Sequence, residues 1–278
     1  MRGHRKQGSS TIDSLQGRPA IVTGAAVGIG KAIATAFAQR GAHVVIADID
    51  DELGERARAE IERLCGAGFP AGQRPAQPAR EIASGPHFIR TDVASATSVD
   101  AMVAAVTKRL GRVDILVNNA RVDPFRRPPD VTDEAWWDLQ MAVDLRGAHL
   151  CARAVMPGMK QQRFGRIVNL SSIQAEVGSP PELAAYGAAK AGLIALTRTL
   201  AREGAPYNVT ANAIAPGTIR TPRITQRATP EQIEATRRRI PLGRLGEPEE
   251  VAECAVLLCS VGFITGEVLH IDGGVRLR

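Results

Sequence analysis

The sequence predicts a single α/β domain built on a doubly wound parallel sheet of about seven strands. The first observation is composition: the 278 residues are 44% apolar and only 4% aromatic, which suits one continuous core of small aliphatic side chains. The second is that short apolar segments alternate with helical patterns along the chain. The third is that these segments end in polar residues, as parallel strands do where open sheets bind ligands. We expect residues 1–16 to form a disordered tail and residues 17–278 to form the domain.

The first strand, at residues 19–22, runs directly into a glycine-rich turn at residues 23–30. Apolar residues then recur at helical spacing at Ile29, Ile33 and Phe37. A strand, a glycine-rich turn and a helix in this order typically bind phosphate. The glycines let backbone N–H groups approach the phosphate, and the helix N-terminus adds a favourable dipole. The turn therefore predicts a pyrophosphate site.

The second strand, at residues 43–47, ends at Asp48. A carboxylate about twenty residues past such a turn can accept hydrogen bonds from both ribose hydroxyls of an adenosine, and it repels a 2′-phosphate. Asp48 therefore favours NAD over NADP. The alternative is that Asp48 caps the next helix, because Asp50 and Asp51 follow closely.

The later segments continue the alternation of strand and helix, which indicates a parallel sheet with right-handed crossovers. Further strands are expected at residues 87–90, 113–117, 166–172, 208–214 and 267–271. Helical patterns are expected at residues 51–64, 99–106, 136–150, 186–200 and 250–260. Residues 66–85, rich in Gly, Pro and Ala, predict a surface insert, and the charged, proline-bounded residues 218–245 predict a mobile substrate lid.

Tyr186 and Lys190 stand four residues apart in a helical segment, so both side chains lie on one face. A phenol alone is a poor acid or base near neutrality, and a fixed ammonium beside it favours the phenolate. Ser171 and Ser172 close the preceding strand, where a hydroxyl can hydrogen-bond the same substrate oxygen. Taken alone, the Tyr and Lys also fit an ordinary helix surface, so the rest of the chain decides.

Several further motifs occur in a specific order along the chain. They are Thr23-Gly-xxx-Gly-Ile-Gly30, Asp92-Val93, Asn118-Asn119-Ala120, Ser172, Tyr186-xxx-Lys190, Pro216-Gly217 and Thr221. Over about residues 17–274 this ordered set resembles the short-chain dehydrogenase/reductase family. The resemblance implies a Rossmann-type fold and an NAD-dependent oxidoreductase that interconverts a secondary alcohol and a ketone. It also implies a homotetramer, or else a homodimer.

The resemblance assigns roles to particular residues. Tyr186 would be the general acid/base, Ser172 would polarise the substrate oxygen, and Lys190 would favour the phenolate and hold the nicotinamide ribose. No metal is expected at the catalytic centre. The positions that match cofactor contacts are Gly24, Val27, Gly28, Ile29, Gly30, Asp48, Asp92, Val93, Asn119, Tyr186, Lys190, Ile219 and Thr221.

Two residues depart from the family pattern. Asp144 stands where the family usually has a catalytic Asn, which shapes a helix kink and holds a water in a relay to the lysine. An Asp is close to isosteric and fits the same role, but a buried anion there would shift the pH optimum. Arg121 stands where the family usually has Gly after Asn-Asn-Ala. It either contacts an anionic substrate group or turns outward to solvent.

Composition argues against other classes of function. The net charge of +6 comes largely from the N-terminus and from arginines interspersed with acids, and no nucleic-acid motif accompanies them. No apolar run is long enough to cross a membrane. The four cysteines show no metal-site spacing and predict reduced thiols and a cytoplasmic protein.

Two alternatives remain open at this point. One is a 3-oxoacyl-thioester reductase, a subtype that often prefers NADP, against Asp48. The other, from a different class, is a weakly catalytic NAD-binding sensor or scaffold.

Overall fold

The structure, a computed structural model, describes residues 13–66 and 85–277. Within these ranges, seven strands form one sheet in the order β3-β2-β1-β4-β5-β6-β7, and every neighbouring pair is parallel. The strands are β1 (Pro19–Thr23), β2 (His43–Asp48), β3 (His87–Arg90), β4 (Ile115–Asn118), β5 (Gly165–Leu170), β6 (Val209–Pro216) and β7 (Val268–Ile271). The order reverses between β1 and β4, which confirms the doubly wound Rossmann-type sheet and places its switch point between these two strands.

Helices cover both faces of this sheet. They are α1 (Gly28–Gln39), α2 (Asp51–Gly66), α3 (Ala96–Leu110), α4 (Asp133–Gln140), α5 (Gly147–Gln162), α6 (Gln174–Val177), α7 (Ala184–Gly204), α8 (Pro222–Thr225), α9 (Pro230–Arg239) and α10 (Pro248–Ser260). One core cluster joins α1, α2 and α10 to one face of the sheet, and a second joins α3, α5 and α7 to the other. Strand β1 shows the division: Ala20 and Val22 belong to the first cluster and Ile21 to the second. A strand buried on both faces needs a continuous apolar run. Strand β1 therefore lacks the alternation of apolar and polar residues that is typical of a half-exposed strand.

The helical region predicted at residues 136–150 is interrupted in the structure. Met141–Arg146 forms a π-helix between α4 and α5, and the Gly147 N–H donates to the Ala142 carbonyl, five residues back. Such wide turns occur frequently at functional sites. This one carries Asp144, whose side chain is buried.

The predicted lid, residues 218–245, holds the two helices α8 and α9. Helix α9 begins with a capping box in which the Thr229 hydroxyl accepts from the Gln232 N–H and the Gln232 side chain accepts from the Thr229 N–H. Its mobility stays a prediction.

The tail predicted over residues 1–16 is too long, because its last residues lie on the domain. Leu15 is buried in the first core cluster, the Asp13 N–H donates to the Ser260 carbonyl at 2.7 Å, and the Asp13 carboxylate pairs with Arg166 of β5. A single apolar anchor among polar neighbours carries no periodicity for sequence reasoning to detect. Residues 1–12, and 67–84 of the predicted insert, lie outside the described residues.

Candidate active site

The glycine-rich turn lies at the switch point, pressed against the end of β4. Gly24 has a φ of +62°, and a Cβ added there would lie 2.7 Å from the Ala120 Cα. A Cβ on Gly30 would lie 2.4 Å from both the Asn119 Nδ2 and the Gly24 carbonyl oxygen. Val27, at the N-cap of α1, makes no side-chain cap, so the first N–H groups of the helix face the turn without a side-chain acceptor. These features fit a bound pyrophosphate.

Thr23 and Asn119 tie the ends of β1 and β4 together. The Thr23 hydroxyl accepts from the N–H groups of Asn119 and Ala120 at 3.0 and 3.1 Å. The Asn119 side-chain amide donates to the carbonyls of Thr23 and Gly24 at 2.9 and 2.8 Å. Asn119, predicted as a cofactor contact, therefore uses its side chain to hold the shape of the turn.

Asp48 lies at the carboxyl end of β2, beside the turn. Its Oδ2 accepts from the Ala26 N–H at 3.0 Å and its Oδ1 from the Asp50 N–H at 3.3 Å. Each carboxylate oxygen can accept further bonds. The helix-cap alternative for Asp48 is wrong, because it is Asp50 that accepts from the Leu53 N–H, at 2.9 Å, at the start of α2.

Asp92 and Val93 follow β3, as predicted for a wall of the cofactor cleft. The Asp92 Oδ1 accepts from the Ala94 N–H at 2.9 Å, which fixes the loop, and Val93 is buried. A Cβ on Gly147 would lie 2.9 Å from the Val93 Cγ2. The glycine that ends the π-helix thus lets this segment approach the sheet.

Lys190 links Tyr186 of α7 to the end of β5, which Ser172 follows by two residues. Lys190 is 2% exposed, and its Nζ donates to the Leu170 carbonyl at 2.9 Å and lies 5.6 Å from the centre of the Tyr186 ring. Tyr186 is half-buried on α7, and Ser172 is buried two residues past β5. The Ser171 hydroxyl donates to the Lys190 carbonyl at 2.8 Å, so this serine anchors the helix. The resemblance gives the catalytic role to Ser172, and the structure gives Ser171 this separate anchoring contact.

Asp144 contacts this group from the π-helix. It is 1% exposed; its Oδ1 accepts from the Val122 N–H at 2.7 Å, and its Oδ2 lies 3.6 Å from the Lys190 Nζ. Burial raises the pKa of the Asp144 carboxyl, against the opposing effects of the Lys190 charge and the Val122 N–H. The structure therefore places the unusual carboxylate directly beside the lysine.

This raised pKa predicts how Asp144→Asn changes the pH dependence of stability. The folded protein binds the Asp144 proton more tightly than the unfolded chain, so wild-type stability falls as pH rises from about 4 through the raised pKa. Asn has no such proton. We expect the stability of Asp144→Asn relative to wild type to rise with pH, by up to about 1.4 kcal/mol per pH unit, in urea unfolding at a series of pH values. A pH-independent difference would contradict this.

The lid begins against the glycine-rich turn. A Cβ on Gly28 would lie 3.4 Å from the Thr221 Cγ2, and Ile219 is buried and bridges to Gly246. Thr221 therefore lies beside the glycine-rich turn, whereas Ile219 packs in the first core cluster.

An ion pair that sequence reasoning missed joins the lid to the segment after β4. Arg227 donates to the buried carboxylate of Asp123, 104 residues away in the chain. Burial opposes ionisation of Asp123, but the Arg227 hydrogen bond, the Phe125 N–H and the charges of Arg223 and Arg121 together hold its pKa below the usual value. No local pattern signals a pair so distant in sequence.

This fold, with a phosphate turn at its switch point and a Ser, Tyr and Lys group beyond β5, defines a class of nicotinamide-dependent oxidoreductases that act on CH–OH and carbonyl groups. The chain also matches the family described as Enoyl-(Acyl carrier protein) reductase over residues 24–71 and 70–276. It belongs to the short-chain dehydrogenase/reductase family, as the ordered motifs predicted.

Relatives of known name cover nearly the whole chain. It is 38% identical over 266 residues to 3-oxoacyl-(acyl-carrier-protein) reductase FabG of Vibrio cholerae, a match that spans 95% of this chain and 99% of the relative. It is 37% identical over 268 residues to an NAD-dependent glycerol dehydrogenase of Listeria innocua, spanning 95% and 96%. A solved structure of a proposed gluconate dehydrogenase from Agrobacterium tumefaciens superposes with a TM-score of 0.81 at 29% identity, covering 94% and 97%. These are oxidoreductases by name, which confirms the predicted class of reaction.

Within residues 13–66 and 85–277, no helix combines the length and apolar character that a membrane span needs.

Proposed function

We propose that the protein is an NAD-dependent enzyme that interconverts a secondary alcohol and a ketone, with Tyr186 as general acid/base. The observation that carries this proposal is the buried Lys190, which is fixed by the Leu170 carbonyl at the end of β5 and lies one helical turn from Tyr186. Burying the Lys190 ammonium costs desolvation free energy, which favours a functional role for it over an incidental position on a helix surface.

The chain's own groups divide the work of the reaction. Tyr186 exchanges a proton with the substrate oxygen, and the Ser172 hydroxyl donates to that oxygen as charge develops on it. Lys190 supplies positive charge next to the phenol, and Asp144 holds the Val122 backbone while balancing the lysine. When bound, the nicotinamide ring supplies or accepts the hydride. The lid and the segment at residues 121–127 exclude water from the cleft.

The choice of NAD over NADP rests on Asp48. Its two oxygens accept backbone hydrogen bonds from Ala26 of the glycine-rich turn and from Asp50 two residues on, which hold the carboxylate at the end of β2. An anion fixed there favours two ribose hydroxyls and disfavours a phosphate ester.

We expect Asp48→Ala to weaken NADH binding roughly tenfold to a hundredfold, the range of hydrogen bonds to a charged group, and to narrow the preference over NADPH. The measurement is fluorescence titration of both cofactors. Asp51→Ala is the matched control, because Asp51 is an exposed carboxylate three residues on, paired with Arg90 at 3.2 Å. Equal binding of NADH and NADPH by the wild type would contradict the assignment.

The relatives suggest two classes of substrate. The similarity to the 3-oxoacyl-(acyl-carrier-protein) reductase supports a 3-oxoacyl thioester as the substrate. The similarity to the glycerol dehydrogenase supports a small alcohol. Asp48 favours the second. The chain carries Ser172, Tyr186 and Lys190, which argues against a weakly catalytic sensor. The homotetramer and the cytoplasmic location stay predictions.

A further inference from the structure

Three arginines gather above the cleft, from two separate segments. Arg121 follows β4, whereas Arg223 and Arg227 belong to the lid. Arg223 interacts electrostatically with Arg121 and Arg227, and with two carboxylates, Asp123 and Asp48. The cluster thus holds three guanidinium groups, which remain charged in proteins.

These three arginines and the carboxylates Asp123 and Asp48 leave one net positive charge in the cluster. Asp123 is hydrogen-bonded to Arg227 and to the Phe125 N–H. Asp48 accepts from the backbone on both oxygens, as described above. Among the residues that the structure describes, no carboxylate forms an ion pair with Arg121 or Arg223.

Arg121 and Arg223 are both half-buried, so leaving their charges without an ion-pair partner costs free energy. The Arg121 side chain makes only a long contact, 3.4 Å from its Nη1 to the Val122 carbonyl. Burial, followed by the charge of Arg121, lowers the pKa of Arg223. Asp123 interacts electrostatically with both arginines and Asp144 with Arg121, but neither carboxylate is hydrogen-bonded to Arg121 or Arg223. Two partly desolvated cations without an ion-paired carboxylate favour a negatively charged ligand.

The sheet register places Arg121 close to the proton-transfer group. Asn118 of β4 pairs with Asn169 of β5, so Arg121 and Ser172 each stand three residues past a paired position on neighbouring strands. The next residue, Val122, donates to Asp144, which lies 3.6 Å from the Lys190 Nζ. An anion held by Arg121 would therefore lie within a few atoms of the reacting carbon.

Arg223 of α8 approaches Arg121 from the lid. It stands two residues past Thr221, whose methyl group lies against Gly28 of the phosphate turn. The Asp123 and Arg227 pair holds this part of the lid over the segment that carries Arg121. Arg121 and Arg223 thus come from two segments that the Asp123 and Arg227 pair joins.

We infer that Arg121 and Arg223 bind a carboxylate of the substrate, which makes the substrate a small hydroxy or oxo acid. This inference rests on the proposed function, because it assigns a substrate class to that same site. The long carrier arm of an acyl thioester would place its phosphate far from the reacting carbonyl, whereas Arg121 lies near it. The cofactor pyrophosphate already has the backbone N–H groups of the glycine-rich turn.

The test uses a pair of probes that differ in charge. Malonate and its neutral dimethyl ester are titrated into the wild-type complex with NADH, into Arg121→Ala and into Arg223→Ala, by calorimetry. Arg239→Ala is the matched control, because Arg239 is an exposed arginine at the end of α9. Melting temperatures and NADH affinity are measured for each variant to check folding and cofactor binding. Turnover is compared on 2-oxo and 3-oxo acids and their methyl esters.

We expect malonate to bind the wild type, to bind Arg121→Ala and Arg223→Ala roughly tenfold to a hundredfold more weakly, and to bind Arg239→Ala unchanged. Binding of malonate no tighter than the diester by the wild type would overturn the inference. So would a loss of NADH affinity in the two variants equal to the loss for malonate, which would assign the arginines to the cofactor phosphates. If the wild type binds malonate but not NADH, the proposed function fails and the anion site stands.

Discussion

Tyr186→Phe lowers kcat by about 10² to 10⁴-fold on any alcohol or ketone that the enzyme turns over, while NADH binding stays nearly unchanged. The phenol hydroxyl is the group that exchanges the proton, and phenylalanine keeps the ring that packs on α7 but has no proton to exchange. Steady-state kinetics, followed by NADH absorbance, measure the first effect, and fluorescence titration measures the second.

The chain offers a matched control for this substitution in its second tyrosine. Tyr207 lies exposed in the short helical turn after α7, and the centre of its ring is 5.3 Å from the Lys160 Nζ. Tyr207→Phe should leave kcat within about twofold of wild type, as a surface change does. A Tyr186→Phe enzyme that retains most of its turnover would exclude Tyr186 as the acid/base, and wild-type NADH binding without turnover on a broad panel would favour the sensor.

Lys190→Met destabilises the fold by about 3–5 kcal/mol, in addition to abolishing turnover. Methionine fills a similar volume, but it leaves Asp144 buried 3.6 Å from where a cation stood. It also removes the donor to the Leu170 carbonyl, which is then left unsatisfied between β5 and α7. Urea unfolding near neutral pH, with the change in midpoint converted to free energy, measures this loss.

The double variant Lys190→Met with Asp144→Asn separates the buried charge from the lost packing. Asparagine keeps an oxygen for the Val122 N–H but removes the unpaired carboxylate. The double variant should therefore be more stable than Lys190→Met alone, because replacing both partners of a buried pair is much less costly than removing one. If the two variants are equally stable, the carboxylate and the lysine are not coupled.

Much of the fold and of the candidate site could be predicted because their signals are local. Strand β1, the turn after it and helix α1 are contiguous, and the Tyr186 and Lys190 pair needs only helical spacing to meet. Asp48 was predicted from its distance past the turn, and it does lie at the end of β2.

The features that sequence reasoning missed depend on contacts between distant segments. Asp123 meets Arg227 only after the lid folds over β4, and Asp13 meets Arg166 only when the sheet exists. The ends of strands were also imprecise: β6 runs to Pro216, beyond the predicted residue 214, because its last residues pair with β7. Such pairings are set by tertiary structure, which overrides local preference.

The π-helix at Met141–Arg146 adds one residue to a helical turn, which changes the direction in which the following side chains point around the helix axis. The buried residues Trp136, Gln140, Asp144 and Ala148 recur every four positions. In an unbroken α-helix each such step advances by about 40°, so three steps would carry the buried face about 120° around the axis. The wide turn absorbs much of that drift, which keeps Trp136 of α4, Asp144 of the π-helix and Ala148 of α5 all buried. Removing one residue from this turn would therefore put Asp144 out of phase with Lys190 and, in the same step, put two helices out of phase with each other.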